Sequence, residues 1–100
     1  MEETVEWLVQ EINDLLDVSS VGLYEFLELL DDPESPLSAV ERREVARRAL
    51  DRVLSDGAAH LQWMKWPQSD SHGSLSPSEL PANPWRRPDD DGLYLAVNRP

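Results

Sequence analysis

Ala49-Leu50-Asp51-Arg52-Val53-Leu54-Ser55-Asp56-Gly57-Ala58-Ala59-His60-Leu61 is the stretch in which the hydrophobic period of this chain changes from helical to extended. Upstream, Ser38 and Glu41 make an S-x-x-E capping box, in which each side chain satisfies the other residue's otherwise unpaired backbone N–H. Ala46, Ala49, Leu50, Val53 and Leu54 then recur at the spacing of one helix face, and Gly57 supplies a left-handed stop. These signals predict a helix over residues 38–55. Beyond Gly57 the period is two: Leu61 and Trp63 share one parity, Met64 and Trp66 the other. Residues 59–66 therefore read as a strand with one face on the core, ended by Pro67.

Working back toward the N-terminus, Val5, Leu8, Val9, Ile12, Leu15 and Leu16 follow the i, i+3, i+4, i+7 rule, which predicts an amphipathic helix over 3–17 with Trp7 at the margin of its apolar stripe. Gly22 permits a bend before Leu23, Phe26, Leu27 and Leu30, a second helical stripe over 22–31. Val21 to Tyr24 reads equally as a short third strand. Asp31 to Pro36 is a loop punctuated by two prolines. Toward the C-terminus, residues 67–91 are rich in Ser, Pro and Asp and read as one long loop, with a single helical turn at Ser76-Pro77-Ser78-Glu79. Residues 92–98 reopen a strand with Leu93, Leu95 and Val97 on one face, expected to pair antiparallel with 59–66.

The chain has 100 residues, enough for one domain and too few for a second core of ordinary size. It contains no cysteine, so disulfides, thiol catalysis and cysteine-based zinc sites are excluded, and a reducing cytoplasm is the expected compartment. No run of about 18 apolar residues is present and no membrane segment is expected. The net charge of −11 is unevenly spread. Residues 1–41 hold 12 acids and no Lys, Arg or His, whereas residues 42–100 hold 9 bases against 8 acids. An acidic surface repels phosphate and anionic lipid and attracts basic partners.

Taken together, helix, optional strand, helix, long helix, strand, long loop and strand form the element order of a winged helix-turn-helix domain. The 49–61 junction resembles the third helix of such a domain running into its first wing strand. The resemblance implies an α+β, winged-helix-like domain over residues 1–100: three helices followed by a two-stranded antiparallel ribbon with a long wing loop. Members of that superfamily bind DNA through the third helix, dimerise or bind proteins, so the fold alone does not choose among these.

For DNA, the candidate residues are Arg42, Arg43, Arg47, Arg48, Arg86 and Arg87. Glu44 lies three and four residues before Arg47 and Arg48, and Arg47 four before Asp51, a spacing that predicts intrahelical ion pairs. Asp89-Asp90-Asp91 follows Arg86-Arg87 at once and offsets a phosphate contact. Catalysis has thinner support, since neither H-x-x-x-H, G-x-S-x-G nor a Gly-rich phosphate loop occurs, and His60 and His72 stand alone. The expected function is non-enzymatic and without cofactor: a protein-binding module, in its sharpest form an acidic inhibitor or immunity-type protein that covers a basic partner such as a nuclease toxin. Its candidate contacts are Glu6, Glu11, Asp14, Glu25, Glu28, Asp31 and Asp32, with Trp66 and Trp85 as spare aromatics. The alternatives are a winged-helix transcriptional regulator and a homo-oligomeric scaffold, such as a homodimer, that uses the wing aromatics.

Overall fold

A computed structural model describes residues 2–31, 33, 37–66, 70–88 and 90–99. Helix α3, Ala39–Ser55, begins and ends as its local chemistry dictates. The Glu41 N–H donates to Ser38 Oγ at 3.1 Å, and the Ser38 N–H donates to Glu41 Oε1 at 3.0 Å. At the other end Gly57 has φ of 71°, its N–H donates to the Leu54 carbonyl, and the Ala58 N–H donates to Val53, both at 3.2 Å. That pair of bonds is the Schellman arrangement, and only a residue tolerant of positive φ closes it cheaply.

Helix α1 spans Glu2–Leu16 and packs chiefly on α3, whose small Ala46 and Ala49 lie on the buried face. Val5, Leu8, Val9, Ile12 and Leu16 are buried from α1, and Val45, Leu50 and Val53 meet them from α3. Leu15 was expected in the same stripe, but it is 39% exposed. Helix α2, Leu23–Leu29, follows strand β1, Val21–Gly22, without a loop, so both readings of Val21 to Tyr24 hold in part. The chain turns from strand into helix at Gly22, as expected, but with an ordinary φ of −68°; Gly22 is the N-cap, and its N–H donates to the Glu25 carboxylate at 2.8 Å.

The sheet corrects the expected two-stranded ribbon. It has four strands in the order β1-β4-β2-β3, all neighbours antiparallel. Strand β2, His60–Lys65, pairs with β4, Leu93–Asn98, from His60↔Asn98 to Lys65↔Leu93. Val21 pairs with Val97. Strand β3, Asp70–Leu75, falls inside the segment expected as loop and includes His72. Its register shifts between Gln62 and Met64, so Gln62↔Ser74 is followed by Met64↔Ser71, and Gly73 takes φ of 117° within this bulge. The expected turn at Ser76 is present as a 3₁₀ turn, Pro77–Glu79, with the Ser76 N–H donating to Glu79 Oε1 at 2.8 Å.

Leu61, Leu95 and Val97 are buried against the helices, with Trp63 half-buried beside them. Met64, Tyr94 and Ala96, of opposite parity, form a second small cluster with Tyr24, whose ring meets that of Tyr94 edge-on at 5.7 Å. Trp66, at the end of β2, is 56% exposed. Its N–H donates to the Gly92 carbonyl at 2.7 Å, and Gly92 has φ of 72°.

Arg99 ties together three parts of the chain. Nη1 donates to the Ala58 carbonyl at 3.0 Å, while Nη2 donates to the Asn13 carbonyl at 3.1 Å and to Asp17 Oδ1 at 2.8 Å. Asp17 directs its own N–H to the Asp14 carbonyl, a tightened last turn. No helix among the described residues is long and apolar enough to cross a membrane.

Candidate protein-binding surface

At about 100° per residue, Trp7, Glu11, Thr4 and Leu15 fall within an arc of about 80° beside the buried stripe of α1. Trp7 is 46% exposed although it sits on an acidic helix with an apolar side chain of the largest size. This arc and α2 bound two adjoining grooves. The first, of about 480 Å³, is lined by Trp7, Leu29, Leu30, Pro33 and Leu37, with the carboxylates of Glu3 and Asp31 among them. The second, of about 320 Å³, is lined by Leu15, Val21 and Leu29 with Ser19, Ser20, Glu25 and Glu28. Leu29 lines both, so the two grooves lie next to one another along α1 and α2, and together they form a trough with apolar residues and acids in each half.

The structure divides the expected acidic set. Glu25, Glu28 and Asp31 line the trough; Glu11 lines neither groove, but its helical position on α1 falls between Trp7 and Leu15. Asp14 flanks that wall and accepts from Gln10 Nε2 at 3.1 Å. Glu6 points to the far side of α1, about 100° from Trp7, and does not belong to this surface. Asp32 lies outside the described residues. Glu3, Trp7, Leu15 and Leu29 were not among the expected contacts; the one signal for them was the marginal position of Trp7 beside the apolar stripe.

The two spare aromatics are not neighbours in this site. Trp85 packs on the core, its ring centroid 6.1 Å from that of the fully buried Phe26. Trp66 lies just beyond β2 and is exposed.

Burial raises the Glu25 carboxyl above its ordinary pKa, with Glu28 adding to the rise and the Gly22 N–H partly opposing it. The same cause, burial first and then Glu25, raises the Tyr24 hydroxyl. A cation arriving beside Glu25 would favour its ionised form.

The basic set is arranged quite differently. On α3, Arg47 pairs with Asp51 at 3.3 Å and Arg48 with Glu44 at 2.9 Å, the intrahelical pairs that the spacing predicts. Arg48 and Arg52 also approach Glu2 of α1, at 4.0 and 3.6 Å. Arg42 pairs with Asp31 at 3.6 Å, Arg87 with Glu28 at 3.3 Å and Arg86 with Asp91 at 3.6 Å. Asp89 lies outside the described residues. Only Arg43 of the six has no carboxylate within ion-pair reach among the described residues. Such exposed pairs contribute at most about 1 kcal/mol each, yet a phosphate would have to displace a carboxylate at five of the six positions. No protein-family model, curated protein or solved structure matches this chain.

Proposed function

We propose that this chain is a non-enzymatic protein-binding module, built on a winged-helix-like frame, whose acidic face engages a basic partner. The observation that carries this reading is the asymmetry of charge pairing. The arginines are largely neutralised by the chain's own carboxylates, whereas Glu3 and Glu11 of α1 have no ion-pair partner among the described residues. The surplus negative charge is thus left facing outward on one helix. A field of this sign draws in a cationic protein quickly and rejects nucleic acid. An inhibitor that covers a basic enzyme, such as a nuclease toxin, is the sharpest form of the proposal.

The winged-helix frame is supported by the order α1-β1-α2-α3-β2-β4 and by β1 and β2 flanking β4, with β3 as an added strand inside the wing. That frame also favours a second reading, a DNA-binding regulator that presents Arg43, Arg47 and Arg48 on the exposed side of α3. The ion pairs on that helix weigh against it.

The test is co-expression with the product of the adjacent reading frame, followed by calorimetry across a salt series. The protein-binding reading expects a complex with a basic protein that weakens as salt rises toward 1 M, where the Debye length falls to about 3 Å. It also expects no duplex DNA binding tighter than about 10 μM at physiological salt. Tight, salt-steep DNA binding would reverse the order of the two readings.

A further inference from the structure

We propose that the trough between α1 and α2 is the docking site for a short amphipathic segment of that basic partner. The segment seats an apolar side chain against Trp7 and Leu29 and brings Lys or Arg toward the acids in the two halves. This deepens the protein-binding reading and rests on it.

Two independent features point to the occupant. The first is the apolar floor: Trp7 is 46% and Leu15 39% exposed, two turns apart on one wall, a rise of about 12 Å. Leu29 joins the two halves from the facing helix, and the first groove alone offers about 480 Å³, room for a large side chain. The second is the sign of the charge. Glu3 and Asp31 line one half and Glu25 and Glu28 the other. Asp31 and Glu28 are already paired with Arg42 and Arg87, whereas Glu3, and Glu11 on the α1 turns between Trp7 and Leu15, have no ion-pair partner among the described residues. No Lys or Arg lines either half. A second copy of this chain would bring acids onto acids in a molecule of net charge −11, and nucleic acid would meet the same repulsion. A purely basic ligand would leave the floor wet. A segment with apolar residues on one face and Lys or Arg beside them satisfies both features, in the manner of a helix laid in a groove.

The experiment is an NMR titration of the full chain with a model helical peptide of Leu and Lys, with Leu at the i, i+3, i+4 positions. The controls are a Leu/Glu peptide of the same pattern and oligo-lysine. The Leu/Lys peptide is expected to shift the Trp7 indole N–H and the methyls of Leu15 and Leu29 ahead of the Trp63, Trp66 and Trp85 signals. Trp7→Ser and Glu11→Lys should each weaken it by about tenfold or more, as loss of a central contact does. Glu6→Lys makes the same charge change on the far side of α1 and should weaken it by less than about threefold. Trp7 is a surface residue, so melting curves of Trp7→Ser should match the wild type and certify the fold.

Equal binding of the Leu/Glu peptide, or equal losses from Glu6→Lys and Glu11→Lys, would overturn the docking site. So would a concentration-dependent dimer that sediments as a monomer in Trp7→Ser, since the occupant would then be a second copy. If a basic partner binds the chain but is indifferent to Trp7→Ser and Glu11→Lys, the trough is wrong and the protein-binding reading stands. If neither peptide nor basic partner binds, both fall.

Discussion

Replacing Arg99 with Ala removes a residue that the expected elements gave no reason to single out. Three bonds are lost: those to the Asn13 and Ala58 carbonyls, and the ion pair with Asp17. The two carbonyl bonds are part-buried and bind separate elements, so each is worth about 1 kcal/mol net. The Asp17 carboxylate is 71% exposed, so screening by water leaves its share at no more than about 1 kcal/mol. Arg99→Ala should therefore cost about 2–3 kcal/mol, which for a domain of this size lowers Tm by roughly 10–20 °C. Asp17→Asn should cost less than about 1 kcal/mol. Arg99→Lys should recover only part, because one ammonium on a flexible stem cannot span both carbonyls and the carboxylate. Urea melts of the three variants, repeated in about 1 M salt, decide the point. If Asp17→Asn reproduces the whole loss, or if salt abolishes the difference between Arg99→Ala and wild type, the bond is a surface ion pair and the reasoning fails.

The two strand tryptophans should separate cleanly in the same melts. Trp63→Ala, which empties a half-buried place against Leu61 and Leu95, should cost about 2–4 kcal/mol, and Trp66→Ala less than about 1 kcal/mol; the reverse order would mean that β2 is turned over. Gly92→Ala should cost at least about 1 kcal/mol, because φ is 72° and a Cβ would lie 2.7 Å from the Trp66 carbonyl oxygen; a neutral result would contradict the strand-end geometry. Glu41 and Glu79 have lowered pKa values because Ser38 and Ser76 donate backbone and hydroxyl bonds to their carboxylates. Their contribution is present above the unfolded value, about 4.3, and is lost as pH falls through the lower folded values, so Glu41→Gln should flatten the acid limb of stability against pH; an unchanged limb would refute this. Glu25 has the opposite sign: its raised pKa means that folding disfavours its charge, and stability falls as pH rises from the unfolded to the folded value. Glu25→Gln should melt no lower than wild type at pH 7, and a clear drop would show that the bond to the Gly22 N–H outweighs burial.

What could be read from sequence was whatever is decided within a few residues. Ser38, Glu41 and Gly57 define α3 because their hydrogen-bond partners lie three to five positions away. The β2–β4 pairing was legible because both strands carry alternating apolar residues and only antiparallel pairing suits the connection. β3 was not: in Asp-Ser-His-Gly-Ser-Leu only Leu75 is apolar, and the strand exists because β2 offers it a ladder. Leu15 fits the helical spacing as well as Leu16 does, and only the docking of α1 on α3 decides which is covered. The same docking sorts Glu11 from Glu6. Composition supplied the sign of the surface but not its outline. Arg99 and Asp17 are 82 positions apart, and no local pattern announces that contact.

The bulge in β3 has a consequence for how this molecule meets copies of itself. A sheet edge is an open row of N–H and C=O groups, ready to be extended by any other strand, and this sheet has two such edges. One is β3, whose ladder kinks where Gly73 takes φ of 117°; the other is β1, two residues long and turning at once into α2. Neither offers a long, flat template. Growth by strand addition is therefore disfavoured at both edges, which leaves lasting association to side-chain contacts, where sequence rather than backbone chooses the partner.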